Sequence, residues 1–135
     1  VTRLEAAQML LPLADDQLPA PELTDTAEEA ARRAAANRFF PLEKGCFAPR
    51  RTISRQEMAT VAMQACGVNY RNASSTMPVC TDVDRVANNY GTNAARALYF
   101  GFMQLEADGR FDPERPVSRK EAVEILDRVA DFAGL

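Results

Sequence analysis

Arginine recurs at one position of a four-residue motif that could form helix starts and bind anions. The motif occurs as Thr2-Arg3-Leu4-Glu5, Ser54-Arg55-Gln56-Glu57 and Ser118-Arg119-Lys120-Glu121. Ser or Thr followed three residues later by Glu is typical of a capping box. In it the hydroxyl accepts from the N3 amide and the carboxylate accepts from the N-cap amide. The sequence therefore predicts three capping boxes, each with arginine as the first helical residue.

The three arginines, Arg3, Arg55 and Arg119, would lie at the positive end of a helix dipole. A cation there costs roughly 0.3–1 kcal/mol, so its threefold recurrence indicates an anionic partner. A guanidinium group beside free helix amides can bind a carboxylate or a phosphate. Two partners remain open: an acidic group of an external ligand, and an acidic side chain of a neighbouring unit.

Apolar spacing behind each motif gives the fold class. Residues at i, i+3, i+4 and i+7 form one stripe on a helix, which predicts helices over 3–13, 55–66 and 119–132. Two further helices are expected over 26–37 and 84–101, the second broken around Gly91. Thr24-Asp25 and Thr81-Asp82 are predicted N-caps. The sequence predicts an all-α fold.

The turns before the second and third motifs also repeat. Gly45-Cys46-Phe47-Ala48-Pro49 aligns with Gly109-Arg110-Phe111-Asp112-Pro113. Asn37 aligns with Gly101, and both residue types tolerate the positive φ that ends many helices. The predicted organisation is the last helix of an incomplete first repeat over 1–17, a second repeat over 18–68, a linker over 69–79 and a third repeat over 80–135.

Composition argues against several functions. The 135 residues include no histidine and carry a net charge of −3. Histidine-based catalysis and histidine-containing zinc sites are therefore excluded, and nucleic acid is not an expected partner. No apolar stretch reaches the roughly 18 residues needed for membrane insertion. The chain starts within a helical pattern without a signal peptide, so we expect it to be part of a longer protein.

The sequence has no residue pattern typical of a metal site, a cofactor site or a catalytic centre. If Gly109 is aligned with the glycine of a calcium loop, Gln104 and Arg115 fall where acidic ligands belong. The carboxylates do not form a recognisable catalytic pair. The sequence therefore predicts a protein that is not an enzyme and has no metal or cofactor.

The three cysteines, Cys46, Cys66 and Cys80, leave two alternatives. Cys66 and Cys80 flank a polar loop and are the preferred disulfide pair in an oxidising compartment. The other alternative is three unpaired thiols, of which at least two are buried.

The segment 106–121 resembles the signature of S-layer homology repeats, in which an Asp-Gly-x-Phe-x-Pro turn leads into a Thr-Arg-x-Glu helix start. Here Asp108-Gly109 and Phe111 form the turn, and Ser118 replaces the threonine. The second repeat has Lys44-Gly45 instead of Asp-Gly, and the first matches only at its helix. The chain has no tryptophan, which family members commonly carry in the first helix of a repeat.

The resemblance implies a pseudo-threefold assembly, with a central three-helix bundle and peripheral helical lobes. It also implies a non-catalytic, extracellular module on the bacterial cell surface that binds acidic cell-envelope polysaccharide, in many cases pyruvylated. The implied contacts use the motif arginines, with the turn glycines letting the polymer approach the backbone. The candidate ligand-binding residues are Arg3, Arg55, Arg119, Gly45, Gly109, Asp108 and Tyr99.

Two further points stay open. Tyr99 is a candidate platform for a sugar ring, although aromatic residues at helical spacing more often belong to a core. The alternative function is a structural or protein-interaction module with degenerate grooves, whose partner is a second copy or another domain of the parent chain.

Overall fold

The computed structural model describes residues 1–67, 80–87 and 89–134. The described part is helical and contains isolated β-bridges but no strand, which confirms the all-α prediction. The α-helices are α1 (Arg3–Leu10), α2 (Glu29–Ala36), α3 (Arg55–Cys66), α4 (Gly91–Tyr99) and α5 (Arg119–Ala133). Short 3-10 helices occupy Leu11–Leu13 and Val83–Arg85. The predicted linker, 69–79, lies outside the described residues.

The helices that follow the repeated motif lie close to their predicted bounds. The first is completed by the 3-10 turn at Leu11–Leu13, the second has the predicted bounds, and the third extends to Ala133. The other two helices, α2 and α4, are shorter than predicted. Instead of breaking around Gly91, α4 begins there, and Val83–Arg85 forms a separate 3-10 turn.

Alanine-rich faces bring the helices together. The last helix, α5, packs against both α1 and α3, while α2 packs on α1 and α4 packs on α3. Ala7 and Ala59 are at most 1% exposed, and their small side chains permit close helix approach. Three phenylalanines, Phe47, Phe102 and Phe111, are also at most 1% exposed. Each contributes roughly 1.5–3 kcal/mol by burial.

Three β-branched residues immediately before the motifs form a closed ring of backbone hydrogen bonds. The Ile53 amide donates to the Val1 carbonyl at 2.9 Å, and the Val117 amide donates to the Ile53 carbonyl at 2.9 Å. The Val1 nitrogen donates to the Val117 carbonyl at 2.8 Å. These hydrogen bonds therefore link each of the three helix starts to the next.

The aspartates predicted as N-caps have a different role. Asp25 accepts from the amides of Phe47 and Ala48 at 2.9 and 2.8 Å. Asp82 accepts from the equivalent amides, those of Phe111 and Asp112, at 2.8 and 2.9 Å. Ala48 and Asp112 have positive φ, which turns successive amides to one side, where a carboxylate can bind both. The N-cap prediction is wrong because these turns compete for the carboxylates, and neither α2 nor α4 has a side-chain cap.

The prediction for Asp82→Asn follows from these hydrogen bonds. Burial by itself would raise the pKa of Asp82, but the Phe111 and Asp112 amides hold it below its usual value. A carboxyl group with a lower pKa in the folded state stabilises the protein above its unfolded pKa of about 3.9, and that contribution is lost as the pH falls. We expect the free energy of unfolding of Asp82→Asn to fall less between pH 7 and pH 3 than that of the wild type.

Urea unfolding at pH 7, 4 and 3 measures this difference. Asp25→Asn should have an effect of the same sign, because the pKa of Asp25 is lowered by the Phe47 and Ala48 amides. Parallel pH profiles for the wild type and Asp82→Asn would contradict the assignment.

The turn alignment needs one correction. Arg38, not Asn37, has the positive φ equivalent to that of Gly101. The alignment shifts because the third repeat has one additional residue between Gly101 and Gly109. The Glu43 amide donates to the carbonyl three residues on, at Cys46, whereas the Glu106 amide donates four residues on, to Arg110.

The preferred Cys66–Cys80 disulfide is not formed. Cys80 is a buried thiol, and burial raises its pKa. The Cys66 thiol donates to the Met63 carbonyl at 3.2 Å, and Cys46 is a half-buried thiol. The structure therefore agrees with the second alternative, three thiols of which two are buried.

Candidate functional site

Arg3 and Arg55 are buried and form matching sets of contacts. Each is 3% exposed. The Nε of Arg3 donates to the Phe47 carbonyl at 2.6 Å, and Nη2 donates to the Pro41 carbonyl at 2.9 Å. Around Arg55, the Phe111 and Gln104 carbonyls occupy the same two positions, each at 2.7 Å.

Aromatic rings cover both guanidinium groups. Arg3 lies 4.9 Å from the Phe40 ring centroid and 5.1 Å from that of Phe47. Arg55 lies 5.1 Å from the Phe111 centroid. Each arginine therefore fastens its own helix to the turn of the next repeat.

The acidic partners of all three arginines belong to another repeat. Arg3 pairs with Glu57 at 3.4 Å, and Arg55 pairs with Glu121. Arg119 pairs with Glu5 at 2.7 Å, but its side chain is 65% exposed. The structure thus contains the salt bridge to a neighbouring unit that the sequence left open as one of two alternatives.

The three predicted capping boxes are formed to different extents. The complete box is present at Thr2 and Glu5. At Ser54 and Ser118 the hydroxyl accepts from the N3 amide as expected, but no complete box is formed. The two glutamates instead contact arginines through Oε2: Glu57 contacts Arg3 and Arg51, and Glu121 contacts Arg55 and Arg115.

The free amides at the starts of α1 and α3 are also bound internally. Arg3 and Leu4 donate to carbonyls of the next turn at 2.9 and 3.1 Å, and Arg55 and Gln56 donate at 3.0 Å each. The acceptors are the carbonyls of Arg51, Pro49, Arg115 and Pro113. An external anion therefore cannot use these two helix ends without displacing the turns.

An open cleft lies above the Arg3 contacts, and we call it the lobe cleft. Its volume is about 500 Å³. One wall is the turn after α2, the floor is the exposed face of α3, and the other wall is the segment before α4. The lining residues are Ala35, Arg38, Phe40, Pro41, Leu42, Thr60, Gln64, Asn89 and Tyr90.

Arg38 is the charged residue of the lobe cleft. Its side chain is exposed, and it forms no ion pair with any described residue. Gln64 and Asn89 are exposed amides, while Tyr90 is half-buried and its pKa is raised by burial and by Glu57. The cleft thus combines an uncompensated cation, amide and hydroxyl groups, and an aromatic ring.

A second cleft occupies the equivalent position on α5. Its volume is about 170 Å³, and no described residue forms a wall equivalent to that of Asn89 and Tyr90. Its lining includes two arginines and three glutamates, so its side-chain charge is negative. The lining residues are Arg55, Met103, Gln104, Leu105, Glu106, Glu121, Glu124, Ile125 and Arg128. The lobe cleft is therefore a more favourable site for an anionic ligand than this second cleft.

The remaining candidate residues lie outside both clefts. Gly45 and Gly109 have φ of 79° and 83°, and their carbonyls accept from the Thr24 and Thr81 amides. Asp108 pairs with Arg110 at 2.7 Å. Tyr99 is 60% exposed and packs edge-on against Phe100 at 5.2 Å. The structure does not bring these candidates together with the three arginines in one cleft.

Sequence reasoning missed most of the lobe cleft. The repeated motif is conserved in sequence at the contacts between units. The cleft residues lie outside it: Arg38, Thr60, Gln64 and Asn89. The available signal was a basic residue immediately after the predicted end of a helix.

Two features are absent from the described residues. No group of three or more Cys, Asp or Glu side chains in this part of the chain is placed to hold a metal ion. None of the helices in the same residues is long and apolar enough to cross a membrane.

Comparison with known proteins gives a family match within residues 80–135. No curated protein matches the chain. The family model of the S-layer homology domain matches residues 81–123, which include α4, the Asp-Gly-x-Phe-x-Pro turn and the start of α5. Domains of this family are non-catalytic modules that generally anchor proteins to cell-wall polysaccharide, which implies a cell-surface or cell-wall protein. Residues 81–123 are therefore similar to the S-layer homology domain.

Proposed function

We propose that this protein is a non-catalytic anchoring module that binds an acidic, pyruvylated cell-wall polysaccharide in the lobe cleft. The observation that carries the proposal is the uncompensated guanidinium group of Arg38 in a cleft between repeats whose opposite wall contains Tyr90. A guanidinium group binds a carboxylate with two parallel hydrogen bonds, and a tyrosine ring offers an apolar face to a sugar. The module would act outside the cell, at the bacterial cell surface.

The candidate arginines would have different roles in this function. Arg3 and Arg55 hold neighbouring repeats together from within, and Arg3 supports the cleft through Phe40 and Pro41. Arg119 is the motif arginine whose guanidinium is accessible. We place it as a secondary contact for an acidic polymer, because Glu5 already compensates its charge.

We also infer a pseudo-threefold arrangement, which would make the cleft a junction between repeats. The closed ring of Val1, Ile53 and Val117 relates three equivalent chain positions. The pairs Arg3–Glu57, Arg55–Glu121 and Arg119–Glu5 follow the same order around the ring. We infer that α1, α3 and α5 form the centre of this arrangement, and that α2 and α4 belong to peripheral lobes.

Sedimentation with purified cell-wall fragments tests the function. We expect the protein to pellet with native walls and to remain in the supernatant after mild acid has removed ketal-linked pyruvate. Retention on both preparations would contradict pyruvate recognition. A protein that binds neither and forms a tight dimer would instead support the interaction-module alternative.

A further inference from the structure

A glutamine side chain of α3 binds the segment that leads into α4. The Ala87 amide donates to Gln56 Oε1 at 3.0 Å. Ala87 lies between the 3-10 turn that ends at Arg85 and the start of α4 at Gly91. No backbone carbonyl among the described residues accepts from its amide. The Gln56 carboxamide is therefore the hydrogen-bonding partner that fixes Ala87 against α3.

Backbone hydrogen bonds connect Ala87 to the wall of the lobe cleft. The Ala87 carbonyl accepts from the Tyr90 amide at 2.9 Å, and the Tyr90 carbonyl accepts from the Ala94 amide of α4 at 2.9 Å. Asn89 and Tyr90 form this wall, whereas Gln56 does not line the cleft. Gln56 can therefore affect the cleft through the backbone of its wall, without lying in the cleft.

Gln56 is itself held in place at the start of α3. Its amide donates to the Pro113 carbonyl at 3.0 Å, and the residue is half-buried. One turn further along α3, the Thr60 hydroxyl accepts from Asn93 Nδ2 at 3.4 Å. Gln56 thus binds two separate parts of residues 80–135, through its backbone to the turn at Pro113 and through its side chain to the segment before α4.

The other two motifs have no acceptor at this position. The residues equivalent to Gln56 are Leu4 in α1 and Lys120 in α5. A leucine side chain has no hydrogen-bonding group, and a lysine ammonium group only donates. The second cleft, on α5, has no described residue equivalent to Asn89 or Tyr90. The acceptor therefore occurs at the junction where the second wall is present.

We propose that Gln56 is a positioning residue that holds the wall formed by Asn89 and Tyr90 opposite Arg38, at the spacing that the polysaccharide requires. This role rests on the proposed function of the lobe cleft. A wall that is already in place reduces the ordering that binding would otherwise require. Gln56 would not touch the ligand, and its effect on affinity would pass through Ala87.

Gln56→Met tests the role, because it removes the carboxamide acceptor and keeps the length of the side chain. We expect the Ala87 amide to exchange about two- to tenfold faster, the factor that corresponds to one hydrogen bond, while the α5 amides keep their wild-type rates. NMR measures this exchange without any polysaccharide. The Kd for purified pyruvylated wall polysaccharide should rise at least about twofold, because a smaller fraction of the protein has the wall in place.

Gln56→Glu is the matched control. A carboxylate also accepts from an amide, and an acidic residue is favourable in the first turn of a helix. This variant should keep the wild-type exchange rate at Ala87 and the wild-type Kd. A general loss of stability would instead accelerate exchange throughout α3 and α5.

Three results would overturn the proposal. They are an unchanged Ala87 exchange rate in Gln56→Met, a faster rate with an unchanged Kd, and an equal rise in Kd for Gln56→Met and Gln56→Glu. A wild type that binds no polysaccharide would contradict the proposed function instead. The Ala87 exchange rates would then decide by themselves whether Gln56 holds the wall.

Discussion

Arg55→Ala is expected to lower the free energy of unfolding by about 3–5 kcal/mol, the usual cost of removing one member of a buried ion pair. The guanidinium group is 3% exposed and donates to the Phe111 and Gln104 carbonyls. Removing it leaves the buried Phe111 carbonyl without this donor, at a cost of about 1–3 kcal/mol. Since small domains are stable by about 5–15 kcal/mol, the variant should be marginally folded.

Arg119→Ala is the matched control, because it changes the same motif position at an exposed site. Its pair with Glu5 is between side chains that are 65% and 38% exposed. Exposed pairs contribute about 0–1 kcal/mol, so this variant should remain within about 1 kcal/mol of the wild type. Urea unfolding followed by circular dichroism measures both. Equal losses for the two variants would contradict a structural role specific to Arg55.

The motif predicted the helix starts well because the information is local. A Ser or Thr hydroxyl binds the N3 amide wherever the helix starts, and Ser54 does so with Glu57 as predicted. The partner of the glutamate is not local. Glu57 and Glu121 lie beside arginines of other repeats, and this proximity arises only when the repeats pack together.

The N-cap prediction at Asp25 and Asp82 failed for a similar reason. An aspartate before a predicted helix has a local use as a cap, but here the amides of a turn more than 20 residues away bind both carboxylates. The positive φ of Ala48 and Asp112 could not be predicted from the sequence, because neither residue is glycine.

The lobe cleft could not be predicted from the repeat. Its walls come from the turn after α2 and the segment before α4, and its floor comes from α3. Residues at such a junction need not resemble one another between repeats. Arg38 and Gln64 therefore fall outside the pattern that identified the three motif arginines.

Arg38→Asn is expected to weaken binding to acidic cell-wall polysaccharide by at least about tenfold. A hydrogen bond to a charged group contributes about 1.5–3 kcal/mol, and about 1.4 kcal/mol corresponds to a factor of ten in affinity. Asparagine removes the charge but tolerates the positive φ of Arg38. The substitution therefore tests the guanidinium group and leaves the turn intact.

Arg85→Asn removes the same charge from an exposed residue that does not line the lobe cleft. The decisive measurement is the Kd of the wild type and of these two variants, titrated with purified pyruvylated wall polysaccharide at one fixed ionic strength. The account predicts a loss of at least about tenfold for Arg38→Asn, because it removes a charged hydrogen bond, and an unchanged Kd for Arg85→Asn. Equal Kd values for the two variants would contradict binding in the lobe cleft.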